Sequence, residues 1–340
     1  MATNTQVLFK SHPDGMPSPE NFEIVTQETP ALEDGQFLLE NVYLSLDPYM
    51  RGRMNAARSY AKPVDIDDVM TGRTIAEVVE SRDYSWQPGD KVLSTSGWQE
   101  YAVSRAKGLT RLDPEDLPLT IRLGVLGMPG LTAYTGLLNI GKPQPGETLV
   151  VAAATGPVGS TVGQIAKIKG ARAVGIAGGP EKTRALTDEF GFDVGLDHRE
   201  PDFAEKLAEA CPDGIDIYFE NVGGHVWRAV FPLLNDFARV PVCGQIAHTS
   251  AIEPPPDPDH VPELMRGILS KRLTLRGFIV TDFADQSGAF QRDMKGWLRE
   301  GRVKYREDIV DGLENAPGAF IGLLKGRNFG KLIVRIGDKT

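Results

Sequence analysis

Residues 147–163 read ETLVVAAATGPVGSTVG, the first stretch of this chain whose residue types and spacing imply chemistry. Residues 149–154 are a short apolar run between Pro145-Gly146 and a glycine turn, which suits a strand buried on both faces of a parallel sheet. Gly156 and Gly159 follow, and Val158, Val162, Ile165, Ala166 and Lys169 then recur at helical spacing. Strand, glycine turn and helix make the opening half of a mononucleotide-binding βαβ unit. The first N–H groups of such a helix lack partners and lie at the positive end of its dipole, so a pyrophosphate is stabilised there. A bare Gly156 lets the backbone approach the phosphates, and Gly159 lets helix pack on strand. Ala154 stands where the familiar first glycine would be, and A-x-G-x-x-G alone is also compatible with a purely structural turn.

The second half of the unit bears on the coenzyme. Residues 172–177, RAVGIA, read as the next strand, where an NAD site places an Asp or Glu on the ribose hydroxyl. Here the strand runs into Ala177-Gly178-Gly179, followed by Lys182 and Arg184. An acid would repel a 2′-phosphate, whereas small residues followed by bases accept one, so the pattern favours NADP over NAD. Solvated helix charges are the competing reading of Lys182 and Arg184.

The spacing of metal-ligating residue types argues against a metal. Cys211 and Cys243 form no C-x-x-C pair, which excludes a four-thiolate zinc lobe and a disulfide framework. His12, His225, His248 and His260 have no ligand spacing with one another or with the cysteines. Cys243 follows an expected strand and reads as a packing residue of a loop rather than a nucleophile.

These residues need a scaffold. A chain of 340 residues is long for one core, so two domains are expected. A net charge of −9, from 37 bases and 46 acids, disfavours nucleic-acid and anionic-membrane partners. Neither a basic-then-apolar leader nor an apolar run of membrane-spanning length is visible, so a cytoplasmic protein is expected. Within residues 1–127, short strands at 23–25, 37–46, 74–80, 91–93 and 98–103 with turns between them indicate a mostly β domain. Helical stretches at 117–126 and 131–138 are divided by Gly127-Met128-Pro129-Gly130. Strands at 148–154, 172–177, 194–197, 215–220, 239–243 and 273–280 then alternate with helices, the rhythm of a doubly wound parallel sheet. The fold class is α/β. Residues 251–262 are a proline-rich loop, either a rim over a site or a surface connection. The tail from 303 reads strand, helix, strand and is expected to return to the first domain. The strand at 273–280 ends the sheet, and its apolar edge invites a second copy, hence a homodimer.

Five motifs occur in order: SLDPYMRGRM at 45–54, LGMPGLTAYTGL at 126–137, AAATGPVGSTVGQIAKIKG at 152–170, YFENVGG at 218–224 and NFGKLIVRI at 328–336. As a set they resemble the zinc-independent medium-chain dehydrogenase/reductase family, in its leukotriene B4 dehydrogenase/prostaglandin reductase branch, and within it the bacterial NADPH-dependent curcumin reductases. The resemblance covers nearly the whole chain. It implies a GroES-like domain at 1–127 completed by 301–340, a Rossmann domain at 128–300, and a cleft between them for NADPH and an enone. By the same resemblance Gly156, Pro157, Val158 and Gly159 lie under the pyrophosphate and Lys182 meets the 2′-phosphate. His198 stands where many relatives have a tyrosine near that phosphate; it either pairs as a cation, making binding depend on pH, or stacks as a neutral ring. Asn221, the loop of Cys243, Gly244, Gln245, Ile246, Ala247, His248 and Thr249, and Asn328 line more of the coenzyme. Phe278, Ile279, Val280 and Thr281 at a strand end complete the lining. Asn221, Cys243 and Phe278 independently follow successive expected strands, at the edge where open α/β sheets bind ligands. Thr249 takes the place of a tyrosine common in relatives.

The implied reaction is hydride transfer from NADPH to the β-carbon of an α,β-unsaturated ketone or aldehyde, with no metal because conjugation already makes that carbon electrophilic. The protein orients the alkene and meets the developing enolate, and the α-carbon takes a proton from a tyrosine or water. Tyr60, in the polar stretch 57–65 where relatives put a substrate-side tyrosine, is the expected donor. Tyr49 borders the substrate, Met128 and Phe283 supply apolar walls, and Tyr134 is structural. Two other readings stand beside this one: quinone reduction with NADPH, and a non-catalytic NADPH-binding scaffold.

Overall fold

The computed structural model describes residues 2–56, 59–112, 117–248, 250 and 260–337. The chain forms two compact units, Met1–Leu123 with Glu307–Thr340, and Gly124–Arg306.

The first unit opens with β1 (Thr3–Phe9), β2 (Phe22–Glu28), β3 (Phe37–Ser45), the short α1 (Tyr49–Arg53), β4 (Thr74–Ser81), β5 (Lys91–Ser94), β6 (Tyr101–Ser104) and β7 (Thr110–Leu112). The second contains α2 (Met128–Gly136), β8 (Thr148–Ala152), α3 (Pro157–Ile168), β9 (Arg172–Ala177), α4 (Pro180–Asp188), β10 (Val194–Asp197) and α5 (Phe203–Ala210). It continues through β11 (Ile215–Phe219), α6 (Gly224–Val230), β12 (Leu234–Val242), α7 (Val261–Lys271), β13 (Thr274–Gly277) and α8 (Ser287–Arg299). The tail adds β14 (Glu307–Asp311), α9 (Ala316–Leu324) and β15 (Lys331–Arg335).

In the first unit β1 and β2 pair with each other, and the main sheet runs β14-β15-β3-β4-β5-β7 with β6 also on β3. The tail therefore supplies two strands at this end of the sheet, β14 paired with β15 and β15 with β3, where Val334 lies opposite Leu44 in an antiparallel ladder. Leu332, Ile333 and Val334 are buried, so this end of the chain is held by apolar packing as well as by hydrogen bonds. Phe9, Phe22, Met50, Trp98 and Phe320 share one core, in which the Trp98 ring stacks on Phe22 at 5.6 Å. Trp98 is thus a core anchor ahead of β6, not part of the strand expected at 98–103. β1 escapes a reading by pattern because TNTQVLF has polar residues on its buried side: Asn4 and Gln6 are buried and both hydrogen-bond to the Gln99 side chain.

The second unit is a parallel sheet in the order β10-β9-β8-β11-β12-β13. The chain starts in the middle at β8, builds outward through β9 and β10, then crosses back to β11. Its winding reverses between β8 and β11, the position where such sheets open a ligand crevice at the strands' carboxyl ends. All five residues of β8 are buried, as a strand covered on both faces requires.

Three local expectations change. The stretch expected as a helix at 117–126 holds only one 3₁₀ turn, Leu119–Leu123, bounded by Pro118 and Gly124. Met128, Pro129 and Gly130 open α2 instead of dividing two helices, because a proline in the first turn forfeits no helical hydrogen bond. β13 stops at Gly277, so Phe278 and Ile279 form a connection and Val280 and Thr281 begin a 3₁₀ helix, Val280–Gln286.

Candidate active site

The turn between β8 and α3 is built by close backbone approach. A Cβ on Gly159 would lie 2.4 Å from Ala153 O and 2.8 Å from Ala154 Cα, so only glycine lets the helix sit this near the strand. Gly156 has an ordinary φ of −73°, and its Cβ would stand 3.3 Å from Ala153 O; conformation does not demand glycine there. The left-handed residue is Ala153, with φ +51°, whereas Ala154 is buried and its N–H donates to Ile176 O at 2.9 Å. No side chain caps α3, and Pro157 contributes no N–H, so the N–H groups of Val158 and Gly159 are left for a ligand. These features fit a pyrophosphate.

Next to this turn, the ends of β11 and β12 are stitched together. Asn221 Nδ2 donates to Ala152 O at 2.9 Å, tying the end of β11 to the end of β8. The Cys243 and Gly244 N–H groups donate to Glu220 O, Ile246 N–H to Asn221 O and Ala247 N–H to Val222 O. Gln245 O accepts from His248 N–H, and His248 Nε2 accepts from Gly224 N–H at 3.2 Å. Glu220 holds this arrangement from below: its carboxyl accepts from Val222 N–H at 2.6 Å, Gly223 N–H at 2.9 Å and the Tyr218 hydroxyl at 3.1 Å. Burial raises the Glu220 pKa above the usual carboxylate range despite those donors. Burial, and then the Glu220 charge, push the Cys243 thiol to about 12, so it is protonated near neutrality. Thr249 lies outside the described residues, as does most of the proline-rich loop.

The ends of β9 and β10 form the third part of this edge. Lys182 sits in the first turn of α4, which follows Gly178 and Gly179. His198 Nδ1 is 3.1 Å from His225 Nε2, and the two rings lie 5.1 Å apart. Burial, and then the neighbouring charges of His225 and Arg199, lower the His198 pKa, so this ring is neutral at pH 7. Partial burial raises the pKa of Asp197, but the N–H groups of Gly179 and Arg199 and the charges of His198 and Arg199 outweigh it and hold the carboxyl below its usual range.

Three of the remaining predicted residues, Tyr49, Tyr60 and Asn328, lie in the first unit. Tyr49 and Tyr60 flank one cation: Arg53 Cζ is 5.8 Å from the Tyr49 ring centroid and 5.9 Å from that of Tyr60. Tyr60 is 63% exposed, while burial and Asp47 drive the Tyr49 hydroxyl pKa far up. Asn328 Nδ2 donates to Gly330 O at 2.9 Å. In the second unit, Met128 is half-buried at the start of α2, Phe283 packs on Phe278, and the Tyr134 hydroxyl donates to Asp293 at 2.8 Å. Sequence reasoning passed over Glu220, Arg53 and Arg199. Glu220 and Arg53 lie inside motifs already singled out, YFENVGG and SLDPYMRGRM: Glu220 is the lone charge of the first, which was the available signal, whereas Arg53 is one of three charges in the second and had none.

Among the described residues no group of three His, Cys, Asp or Glu side chains gathers to hold a metal ion, and no helix is long and apolar enough to cross a membrane. A Rossmann sheet whose glycine turn fits a pyrophosphate, in one chain with a mostly β unit, has the build of a nucleotide-dependent oxidoreductase. Residues 5–112 match the family described as the N-terminal domain of oxidoreductase, and residues 157–295 the one described as zinc-binding dehydrogenase. The chain is 56% identical over 337 residues to the NADPH-dependent curcumin reductase of Escherichia coli (strain K12), covering 98% of each. It is 42% identical over 335 residues to prostaglandin reductase 1 of Bos taurus, covering 96% of this chain and 97% of that one. The crystal structure of CurA in complex with NADPH from Vibrio vulnificus superposes with a TM-score of 0.96 at 51% identity, over 99% of this chain and 100% of that one. The chain belongs to the NADPH-dependent enone reductases of the medium-chain dehydrogenase/reductase family.

Proposed function

We infer that this protein reduces the carbon–carbon double bond of α,β-unsaturated ketones and aldehydes, with NADPH as reductant. The observation that carries the reading is the convergence of the Gly156–Gly159 turn, Asn221 and the 243–248 loop on one edge of the sheet, in a chain related throughout its length to reductases named for NADPH. When bound, NADPH supplies the hydride that adds to the β-carbon. The protein's own residues hold it: Gly156, Pro157, Val158 and Gly159 at the pyrophosphate, Lys182 and His198 toward the 2′-phosphate. Asn221, the 243–248 loop, residues 278–281 and Asn328 serve the remaining parts of the coenzyme. Tyr49, Tyr60 and Met128 serve the substrate.

Addition at the β-carbon sends an electron pair toward the carbonyl oxygen, and the enolate that forms takes a proton at the α-carbon. Tyr60 is the donor in this reading, because its phenol is on an exposed ring beside Tyr49 and Arg53, where it can reach a substrate from solvent. The reaction needs no zinc. A homodimer working in the cytoplasm belongs to the same reading. It is supported by the exposed Val261, Met265 and Leu269, which recur every four residues on α7 in the connection that leads to edge strand β13, and by two free thiols that suit a reducing compartment. Light scattering on the purified chain tests the dimer.

The activity is tested with enones, enals and a quinone, each offered with NADPH and with NADH. The expected result is NADPH oxidation matched by the saturated ketone or aldehyde. Oxidation only with the quinone, leaving enones intact, would overturn the reading.

A further inference from the structure

The outer end of β9 carries a cation that its local sequence does not announce. Arg199 is the second residue after β10, and its guanidinium lies across the glycine turn that follows β9. A Cβ on Gly178 would fall 2.8 Å from Arg199 Nε and 3.0 Å from Cζ and Nη2; one on Gly179 would be 3.8 Å from Nη1. The guanidinium therefore occupies space that any other residue at 178 would claim.

The backbone under it is pinned. Asp197 accepts the Arg199 N–H at 3.0 Å and also engages the Gly179 N–H, so one carboxyl joins the chain after β10 to the chain after β9. The nearest acid is thereby committed to backbone donors. Of the other acids at this edge, Glu181 is strongly exposed and lies 4.0 Å from Arg306, and Glu200, next in the chain, pairs with Lys206. The Arg199 guanidinium itself forms no hydrogen bond or ion pair among the described residues. The edge of the sheet that meets a dinucleotide's adenosine ribose thus presents a planar, five-donor cation on the segment that carries His198, over the glycines from which the helix bearing Lys182 starts.

We propose that Arg199 reads the 2′-phosphate of NADPH, and that bare Gly178 exists to seat its guanidinium there. The inference rests on the reading of NADPH as the reductant and names the residue that enforces the choice. A guanidinium fork donates two parallel hydrogen bonds to a phosphate, a geometry the Lys182 ammonium cannot reproduce. NADH has only a hydroxyl at this position, so the gain is selective for NADPH.

Binding of NADPH, NADH and 2′,5′-ADP to the intact protein, followed by calorimetry, tests this without any turnover. Charged hydrogen bonds of this kind correspond to an affinity change of about tenfold to a hundredfold. Arg199→Ala is expected to lose that factor for NADPH and 2′,5′-ADP while leaving NADH unchanged. Gly178→Ala, which removes no charge, is expected to shift the same two ligands in the same direction. An Arg199→Ala variant that keeps the wild-type ratio of NADPH to NADH affinity would overturn the proposal. A wild-type protein that prefers NADH would instead overturn the coenzyme reading on which it rests.

Discussion

Glu220 shows how far one side chain shapes this site. Its carboxyl is buried, receives two backbone N–H groups and a phenol, and supports the turn that presents Asn221. Because its folded pKa is raised, its contribution to stability is full below the ordinary carboxylate range and is lost as pH rises through the folded value. Glu220→Gln stays neutral throughout, so its melting temperature relative to wild type should climb as pH rises from the ordinary carboxylate range through the raised folded value. A constant offset across that range would show that the carboxyl is not strained by its burial. The Cys211 and Cys243 thiols, pushed by burial to about 11 and about 12, stay protonated near pH 7 and are poor nucleophiles toward an electrophilic enone. Tyr60 has the opposite character, exposed and beside a cation. Tyr60→Phe should lower kcat about 100-fold, the ordinary worth of a positioned acid, with NADPH affinity unchanged. Unaltered turnover would remove Tyr60 from the chemistry.

At the scale of elements, the β8–α3 junction separates two glycine roles that look alike on paper. Gly159 is fixed by packing, since its Cβ would meet the Ala153–Ala154 backbone, which cannot move without displacing β8. Gly159→Ala should therefore cost about 1–3 kcal/mol of stability, the range for forcing an extra carbon into a packed contact. Gly156 is less crowded, its Cβ standing 3.3 Å from Ala153 O against 2.4 Å for that of Gly159, so Gly156→Ala should lose less stability than Gly159→Ala while binding NADPH more weakly. Equal destabilisation of the two variants in urea would contradict this division. The shared A-x-G-x-x-G pattern located the junction, but the distances to Ala153 O distinguish packing from ligand approach.

At the scale of the molecule, the first unit is closed by the last strand of the chain. Lys331 on β15 donates to Asp47 at 2.7 Å and to Leu46 O at 2.8 Å, and the Ser45 hydroxyl donates to the other Asp47 oxygen. The two side chains are only 3% and 6% exposed. Lys331→Met leaves Asp47 buried without its cation and should cost about 3–5 kcal/mol in urea unfolding; replacing both residues with apolar ones should recover most of that loss. A single-variant loss below about 1 kcal/mol would mean that water already reaches the pair.

The nucleotide-binding half was readable because its signals are local. Residues 148–177 place an apolar strand, a glycine turn, a helical repeat and a second strand in one continuous run, and backbone geometry follows from such neighbours. The absence of an acid after β9 was equally legible. Contacts between distant segments were not. Hydrogen-bonding partners decided that β13 stops at Gly277, that β1 is a strand despite polar residues on its buried side, and that β15 lies beside β3. The seating of Arg199 on Gly178 and the burial of Glu220 likewise depend on which strands are adjacent. A residue's environment is set by chains that pack against it from elsewhere in the sequence, and only the folded arrangement brings those chains together.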